Sequence, residues 1–586
     1  MPPRRSSRPA TAKPPSAPVS KSAAKAPARS RSQPARKRAA SPSRDERPAP
    51  KRLRTAPPSQ KSENIPPPSS RKPRSKPSSA AKPQPTTRKR GRPKLGAITE
   101  AVESKETKPL EKKKVPKEPK QKPTPIPQSK PYLNPLPTPP PTSRPSPILF
   151  VFGAGNFGQF GMGPDVLDSL TKPKRNQWVE EQISKGTFGE VGAGITAVAG
   201  GGLHTLFADE KGTVWSCGAN DNAALGRITT DVPDPDNEGS FLDVDELTSW
   251  PRPLQTLVDE HFRAVLVAAG DSIGAVVSDQ GELRVWGTFR GMEGALGFSD
   301  GKDKQHLPTP ILTLSHKPGD YEKVSSVAAG NNHLVIVTTH GHLYTLGVGE
   351  QGQLGRKILE RRKIHGTHPE KICLGTRSRK AVKVAAGSYH SFAIDDNDDV
   401  WGWGLNTMGQ TGTGWSSRDD DCVHFPQKVE SLSRESLSGD TVVQIAAGEH
   451  HTIFLTAAGK VYSCGRMDGS QLGLEDDNPA IIEWKEKYAE MFDGAVPQFL
   501  PTPTEVAFPD ADDAVVQIST GVHNNAVVTR GGALLTWGQG IQGELGCGDD
   551  EEVETPKVVV RKDGGSWFAV AVSCGGQHTL GLLKKK

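Results

Sequence analysis

From residue 148 onward, short apolar runs alternate with glycine-marked turns on a fixed schedule. In residues 328–355, AAGNNHLVIVTTHGHLYTLGVGEQGQLG, a glycine after two small residues opens the unit and a mostly apolar run follows. A Gly-marked turn then leads to a second apolar run, and a Gly-rich tail closes it. Apolar runs of this length between turn residues predict two strands joined by a tight hairpin, then an irregular loop. The unit recurs with opening glycines at Gly201, Gly270, Gly330, Gly387, Gly448, Gly521 and Gly575, at intervals of 54 to 73 residues. A second glycine stands 17 residues after each of the first six, so the hairpin has constant length. From that glycine the tail runs eight residues in every unit but the second, where Gly287 to Gly297 spans ten.

One further tail, Gly153 to Gly161, precedes the first opening glycine, and the last opening glycine has no tail. The two ends together make one whole unit, as a closed ring requires if no sheet edge is to stay free. The pattern predicts an all-β fold, a seven-bladed β-propeller with circular strand closure over residues 148–586. The glycines suit positions that need a positive φ or close backbone approach. Three residues after the opening glycines stand His204, Ile273, His333, His390, His451, Asn524 and His578. One per blade, these histidines are spread around a ring and do not converge on a metal; each is expected to bond the next blade's backbone.

Composition divides the chain. Residues 1–150 hold 37 Lys+Arg against 8 Asp+Glu, a net of +29; the rest holds 38 against 58, a net of −20. Residues 1–147, Pro-rich and without an aromatic before Tyr132, bury too little to offset chain entropy and read as a long disordered basic tail. Within it Arg88, Lys89, Arg90, Gly91, Arg92, Pro93 and Lys94 resemble an AT-hook, in which glycine and extended arginines fit the minor groove of A·T tracts. Arg36, Lys37 and Arg38, followed after twelve residues by Lys51, Arg52 and Arg54, have the spacing of a bipartite nuclear import signal, which implies an importin partner. The six cysteines show no metal-ligand spacing, and no apolar run approaches a membrane span. There is no phosphate-binding Gly-x-x-x-x-Gly-Lys-Ser/Thr loop and no nucleophile elbow, so the chain is expected to bind partners without cofactor, metal or bond chemistry.

The unit Ala-Ala-Gly-x-x-His with its Gly-x-Leu-Tyr-x-x-Gly-x-Gly-x-x-Gly-Gln-Leu-Gly continuation, whole at 328–355 and varied in every other blade, resembles the repeat of the regulator of chromosome condensation family. The family's founding member is a chromatin-bound guanine-nucleotide exchange factor for the Ran GTPase, and the basic tail with its import signal fits that member. The resemblance implies a nuclear, chromatin-associated exchange factor for a Ran-like small GTPase. Such a protein supports nucleocytoplasmic transport and assembly of the spindle and nuclear envelope. The alternative is a chromatin-binding scaffold of the same family without exchange activity.

By the same resemblance one propeller face grips the GTPase, a β-wedge from one blade presses into the nucleotide site, and loop carboxylates compete with phosphate for a GTPase lysine. The wedge is expected after Gly297, within residues 298–308, with Phe298, Asp300, Lys302, Asp303 and Lys304 as contacts. The family's acidic positions fall on Asn156 and Asn332, which are amides here, with Glu350 a neighbour able to compensate. His450 matches another position used on this face, and Asp271 is an acidic loop tip added from this sequence itself. Arg356, Arg361, Arg362 and Lys363, a basic loop on an acidic body, fall where the family's switchback loop meets the nucleosome's acidic patch, expected on the opposite face.

Overall fold

The computed structural model describes residues 131–416 and 421–586. Seven four-stranded antiparallel sheets form the blades of a propeller. Blades one to six open with the strands Ile195–Gly200, Ala264–Ala269, Val324–Ala329, Ala381–Ala386, Val442–Ala447 and Val515–Thr520. The seventh blade takes its two inner strands, Trp567–Cys574 and His578–Lys585, from the end of the chain. Its outer two, Ile148–Gly153 and Leu170–Arg175, come from the start of the repeat region. Ile148 pairs with Leu583 and Gly153 with His578, so the ring closes as the split unit implied.

Each strand plays a part set by its residues. Opening strands line the axis and end in small residues, Ala-Ala, Ala-Gly, Ser-Thr or Ser-Cys, because seven of them converge there. The second strand of each complete blade, such as His333–Thr338 (HLVIVT), is buried along its whole length, which is why it reads as an unbroken apolar run. Seven clusters of buried apolar side chains fill the seven seams. Large rings such as Trp286, Trp403, Trp537 and Phe392 are essentially inaccessible, each worth about 3 kcal/mol of burial or more.

The repeated histidines lock the seams, by a partner other than the one expected. His333 Nε2 lies 2.7 Å from Ser391 Oγ in the next blade, and that hydroxyl donates at 2.8 Å to the Gln353 carbonyl in the tail of blade three. The same relay joins His390 to Thr452 and the Gln410 carbonyl, and His578 to Thr205 and the Gln159 carbonyl. In a fourth seam Asn525 replaces the hydroxyl, accepting from His451 and donating to the Gln471 carbonyl. The histidines thus bond side chains of the next blade, not its backbone. Since each hydroxyl spends its proton on a carbonyl, the histidine must carry its hydrogen on Nε2.

This ring explains the glycines. A Cβ on Gly330 would stand 2.2 Å from His333 Cε1 and 2.3 Å from the Gly387 carbonyl, so the imidazole needs a glycine beneath it. Gly347, at φ +122°, faces the Asn332 carbonyl and His333 Cα at 2.5 and 2.6 Å, where a side chain has neither the space nor the backbone geometry. The ring breaks where Gly274 replaces the hydroxyl residue: a Cβ there would collide with Trp286 at 2.3 Å, so His204 Nε2 has no partner among the described residues.

Antiparallel pairing puts the turns after the opening strands and the Gly-rich tails at one end of the propeller, here the tail face. The tight hairpins and blade-to-blade connections form the hairpin face. Packing begins before Ile148: Leu133 and Asn134 donate backbone N–H groups to the Thr339 carbonyl, and the buried Asn134 amide donates to the Thr338 and Ala381 carbonyls. Further along, Arg144 grips Glu210 with two bonds of 2.7 and 2.9 Å. Residues 132–146 therefore run over the hairpin face. The basic motifs at 36–54 and 88–94 lie outside the described residues.

Burial holds His204 and His451 down to about 4 and His333 and His578 down to about 3, and pushes His390 well below its ordinary value. These groups stay neutral in the fold while the unfolded chain takes up protons below about pH 6.5. Their stability contribution is complete above that pH and lost as pH falls toward 4, at roughly 1.4 kcal/mol per pH unit for each histidine at most. The melting temperature is expected to fall steeply between pH 6.5 and 5 at constant ionic strength; an unchanged value would contradict the neutral relay. Thr452→Ala, which strands the His390 donor, is expected to cost about 1–3 kcal/mol in denaturant titration.

Candidate functional site

The tail of blade two departs from its fellows. Its two extra residues are spent on a small antiparallel ribbon in which Arg290–Gly291 pairs with Gly294–Ala295, turning through Met292 and Glu293. Gly294, at φ +116°, makes the turn, and both tip side chains are 83% exposed. Its base is rigid: Leu296 and Gly297 donate to the Phe289 carbonyl, and the rings of Phe289 and Phe298, both buried, lie 5.1 Å apart.

Blade three steers the ribbon. The Arg290 N–H donates to Asn332 Oδ1 at 2.9 Å, and the Met292 N–H donates to Glu350 Oε2 at 3.0 Å. Lys363 Nζ stands 3.0 Å from Glu350, 2.7 Å from Glu360 and 3.5 Å from Glu293 at the tip. Hydrogen bonds donated to Glu360 and Glu350 raise the Lys363 ammonium above its ordinary range, which keeps it charged. The Arg290 guanidinium meets Asp271 at 3.9 Å. Toward the axis, Glu449 lies 3.6 Å from both His450 Nδ1 and His523 Nε2, and the proximity of His450 holds its carboxyl below the usual range.

Asp271, Asn332, Glu350 and His450 thus share the tail face, and the first three surround the ribbon. Asn156 is exposed on the same face, beside a groove that Phe157, Asp221, Ile228 and His306 also line. The protruding element, however, is not residues 298–308. Phe298 is only 4% exposed, residues 298–302 close a tight turn, and Gln305–Thr309 is the outer strand of blade two. Asp300 is engaged within this turn by Lys302 and Gln305, and Lys304 by the Asp221 carbonyl, leaving Asp303 exposed without building a wedge. The ten-residue tail was the sequence signal for the ribbon.

Glu350, expected to compensate for the charge missing at the amides, has both oxygens engaged, one by Met292 and one by Lys363. The basic loop is corrected in place and availability. As the connection from third to fourth strand of blade three it leaves from the tail face, not the opposite one, and Lys363 ties it to the ribbon. Arg356 is turned inward to the Gly366 and His368 carbonyls and Glu370. Arg361 and Arg362, in the short helix Glu360–Thr367, stay exposed. At the same blade edge, burial, with the charge of Lys380 nearby, lowers the Lys371 ammonium below its ordinary range.

Residues 148–581 match the RCC1-like domain. Protein pim1 of Schizosaccharomyces pombe is 32% identical over 434 residues, 74% of either chain. The guanine nucleotide exchange factor SRM1 of Saccharomyces cerevisiae is 30% identical over 74% of this chain and 86% of its own. The regulator of chromosome condensation of Homo sapiens is 31% identical over 75% and 91%. The crystal structure of Prp20p from Saccharomyces cerevisiae, a protein described with its binding properties to Gsp1p and histones, superposes with a TM-score of 0.63 at 28% identity, over 76% of this chain and 93% of its own. Repeat spacing, ring closure and these matches agree: the chain belongs to the RCC1-like family.

Proposed function

We propose that this protein is a chromatin-bound guanine-nucleotide exchange factor for a Ran-like small GTPase. The observation that carries the exchange reading is the ribbon Arg290–Ala295: a two-stranded projection with a rigid base, held at a set angle by Asn332 and Glu350. An exchange factor makes and breaks no bonds. It binds the nucleotide-free GTPase better than the nucleotide-bound one, so nucleotide leaves faster while the GDP/GTP equilibrium is unchanged. A ribbon fixed before contact suits this task, since little ordering entropy is lost on insertion.

In this reading the ribbon is the wedge, and Asp271, Asn156, His450 and Glu449 are surrounding contacts. The relatives named as exchange factor and as binding Gsp1p and histones support both halves of the proposal. For chromatin, the exposed Arg361 and Arg362 offer planar forks to an acidic histone surface. The segments at 88–94 and 36–54 are the proposed DNA and importin contacts; a yeast relative has been crystallised with Kap60. Importin capture and DNA binding together would hold the protein in the nucleus and concentrate the GTP-bound GTPase around chromosomes. The amides at Asn156 and Asn332 keep a non-exchanging scaffold as the rival.

The test is release of fluorescent GDP from a Ran-like GTPase by catalytic amounts of the full chain with excess GTP. Replacing residues 290–295 by a Gly/Ser turn is expected to lower kcat/KM about 100-fold or more, roughly 2.8 kcal/mol of lost transition-state binding. A folded wild-type protein that binds nucleosomes and does not accelerate release would leave the scaffold. Arg361→Glu with Arg362→Glu is expected to weaken nucleosome binding about tenfold or more at fixed salt, read by gel shift.

A further inference from the structure

The ribbon tip carries a carboxylate of its own. Glu293 is 83% exposed at the outermost turn, and among the described residues its close cation is Lys363, at 3.5 Å. Of the other acids near the ribbon, Glu350 is held by the Met292 N–H and Lys363 and Glu360 by Lys363, while Asp271 stands 3.9 Å from Arg290 at the ribbon's base and not at its tip. Asn332 contributes no charge, and its oxygen is engaged by Arg290.

The chemistry of the target makes this placement informative. A nucleotide-binding loop of the Gly-x-x-x-x-Gly-Lys-Ser/Thr kind holds its lysine against the β- and γ-phosphates. Once nucleotide leaves, that ammonium is buried without a counter-charge, and this unpaired cation is a main reason the empty state is unfavourable. A carboxylate brought to it stabilises the empty state. The same carboxylate is repelled by bound phosphates, so its effect is differential.

We propose that Glu293 is the residue that pairs with the phosphate-binding lysine of the GTPase when the ribbon enters the nucleotide site, and that Lys363 parks it beforehand. This rests on the exchange reading and on the ribbon being the wedge. Lys363 sets the carboxylate's height above blade three by holding Glu350 and Glu293 together, and the 3.5 Å contact, longer than its bonds to Glu350 and Glu360, is the one that yields on docking. No atoms are transferred; one ion pair replaces another.

The experiment measures GDP release and, separately, affinity for the nucleotide-free GTPase, with the full chain and its Glu293→Gln variant. Glu293 is exposed, so the variant is expected to keep the wild-type melting temperature. It is expected to lose at least tenfold in kcat and a like factor in affinity for the empty GTPase. Its affinity for the GDP-bound form should stay the same or tighten. Against an empty GTPase whose phosphate-binding lysine is methionine, wild type and Glu293→Gln are expected to bind alike, because the two substitutions remove one interaction. Wild-type kcat in Glu293→Gln would overturn the proposal, as would a loss that persists undiminished against the lysine-to-methionine GTPase. If replacement of the whole ribbon also left exchange intact, the wedge reading would fall; if that replacement abolished exchange while Glu293→Gln did not, only the role of Glu293 would.

Discussion

The contact on which this molecule depends is the relay across the blade seams, from histidine to hydroxyl to tail carbonyl. Each relay ties the second strand of one blade to the second strand of the next and back to the first blade's own tail, as His333, Ser391 and Gln353 do. It therefore fixes three things at once: the spacing of blades, the path of the Gly-rich tail, and the glycine under the imidazole. A buried polar chain of this kind is costly if incomplete and rigid if complete. Here most seams complete it, and where Ile273 and Leu334 take the corresponding places both are apolar and pack in one seam cluster, so the exchange is matched.

That rigidity reaches the functional face directly. The tails whose carbonyls receive the relay are the same tails that project from it, so a loop grown from a tail stands on a base that cannot drift. Blade two, whose seam with blade three holds Ile273 and Leu334 instead of a relay, anchors its tail differently: Phe289 and Phe298 close it beneath the ribbon that the two added residues build. Blade three then supplies Asn332 and Glu350 as supports. A protruding element with a fixed base and lateral struts meets the geometric demand of opening another protein's nucleotide site.

Much of this was legible in the sequence because it is periodic. Glycine spacing gave the hairpin length, the complementary end fragments gave the ring closure, and the histidine register placed one imidazole in each of five blades. What periodicity could not convey was which atoms meet between units. The histidine partner is expected in the backbone, yet it is the residue immediately after the next blade's corresponding position, as Thr205, Ser391, Thr452 and Asn525 show. The resemblance puts the wedge past Gly297, whereas the two extra residues of the preceding tail build the ribbon; Phe298, an aromatic in a loop, belongs to the core. The resemblance puts the basic loop on the opposite face, whereas strand direction decides which end of a blade the connection from third to fourth strand leaves from. Packing of residues 132–146 was hidden by a proline-rich composition that resembles the chain before it, though Asn134 is as buried as a core residue.

The amides at Asn332 and Asn156 look, from sequence, like charge lost from a face that needs it. The geometry gives Asn332 a different account. An aspartate there could also accept the Arg290 N–H, but it would place a negative charge between Asp271 and Glu350, on a face where Glu293 and Glu360 already converge on the single ammonium of Lys363. A neutral acceptor holds the strand without adding to that repulsion, and costs nothing in hydrogen bonding. Charge at the tip and neutrality at the base are then one arrangement: the carboxylate moves with the element that enters the partner, and the support beneath it only has to hold still.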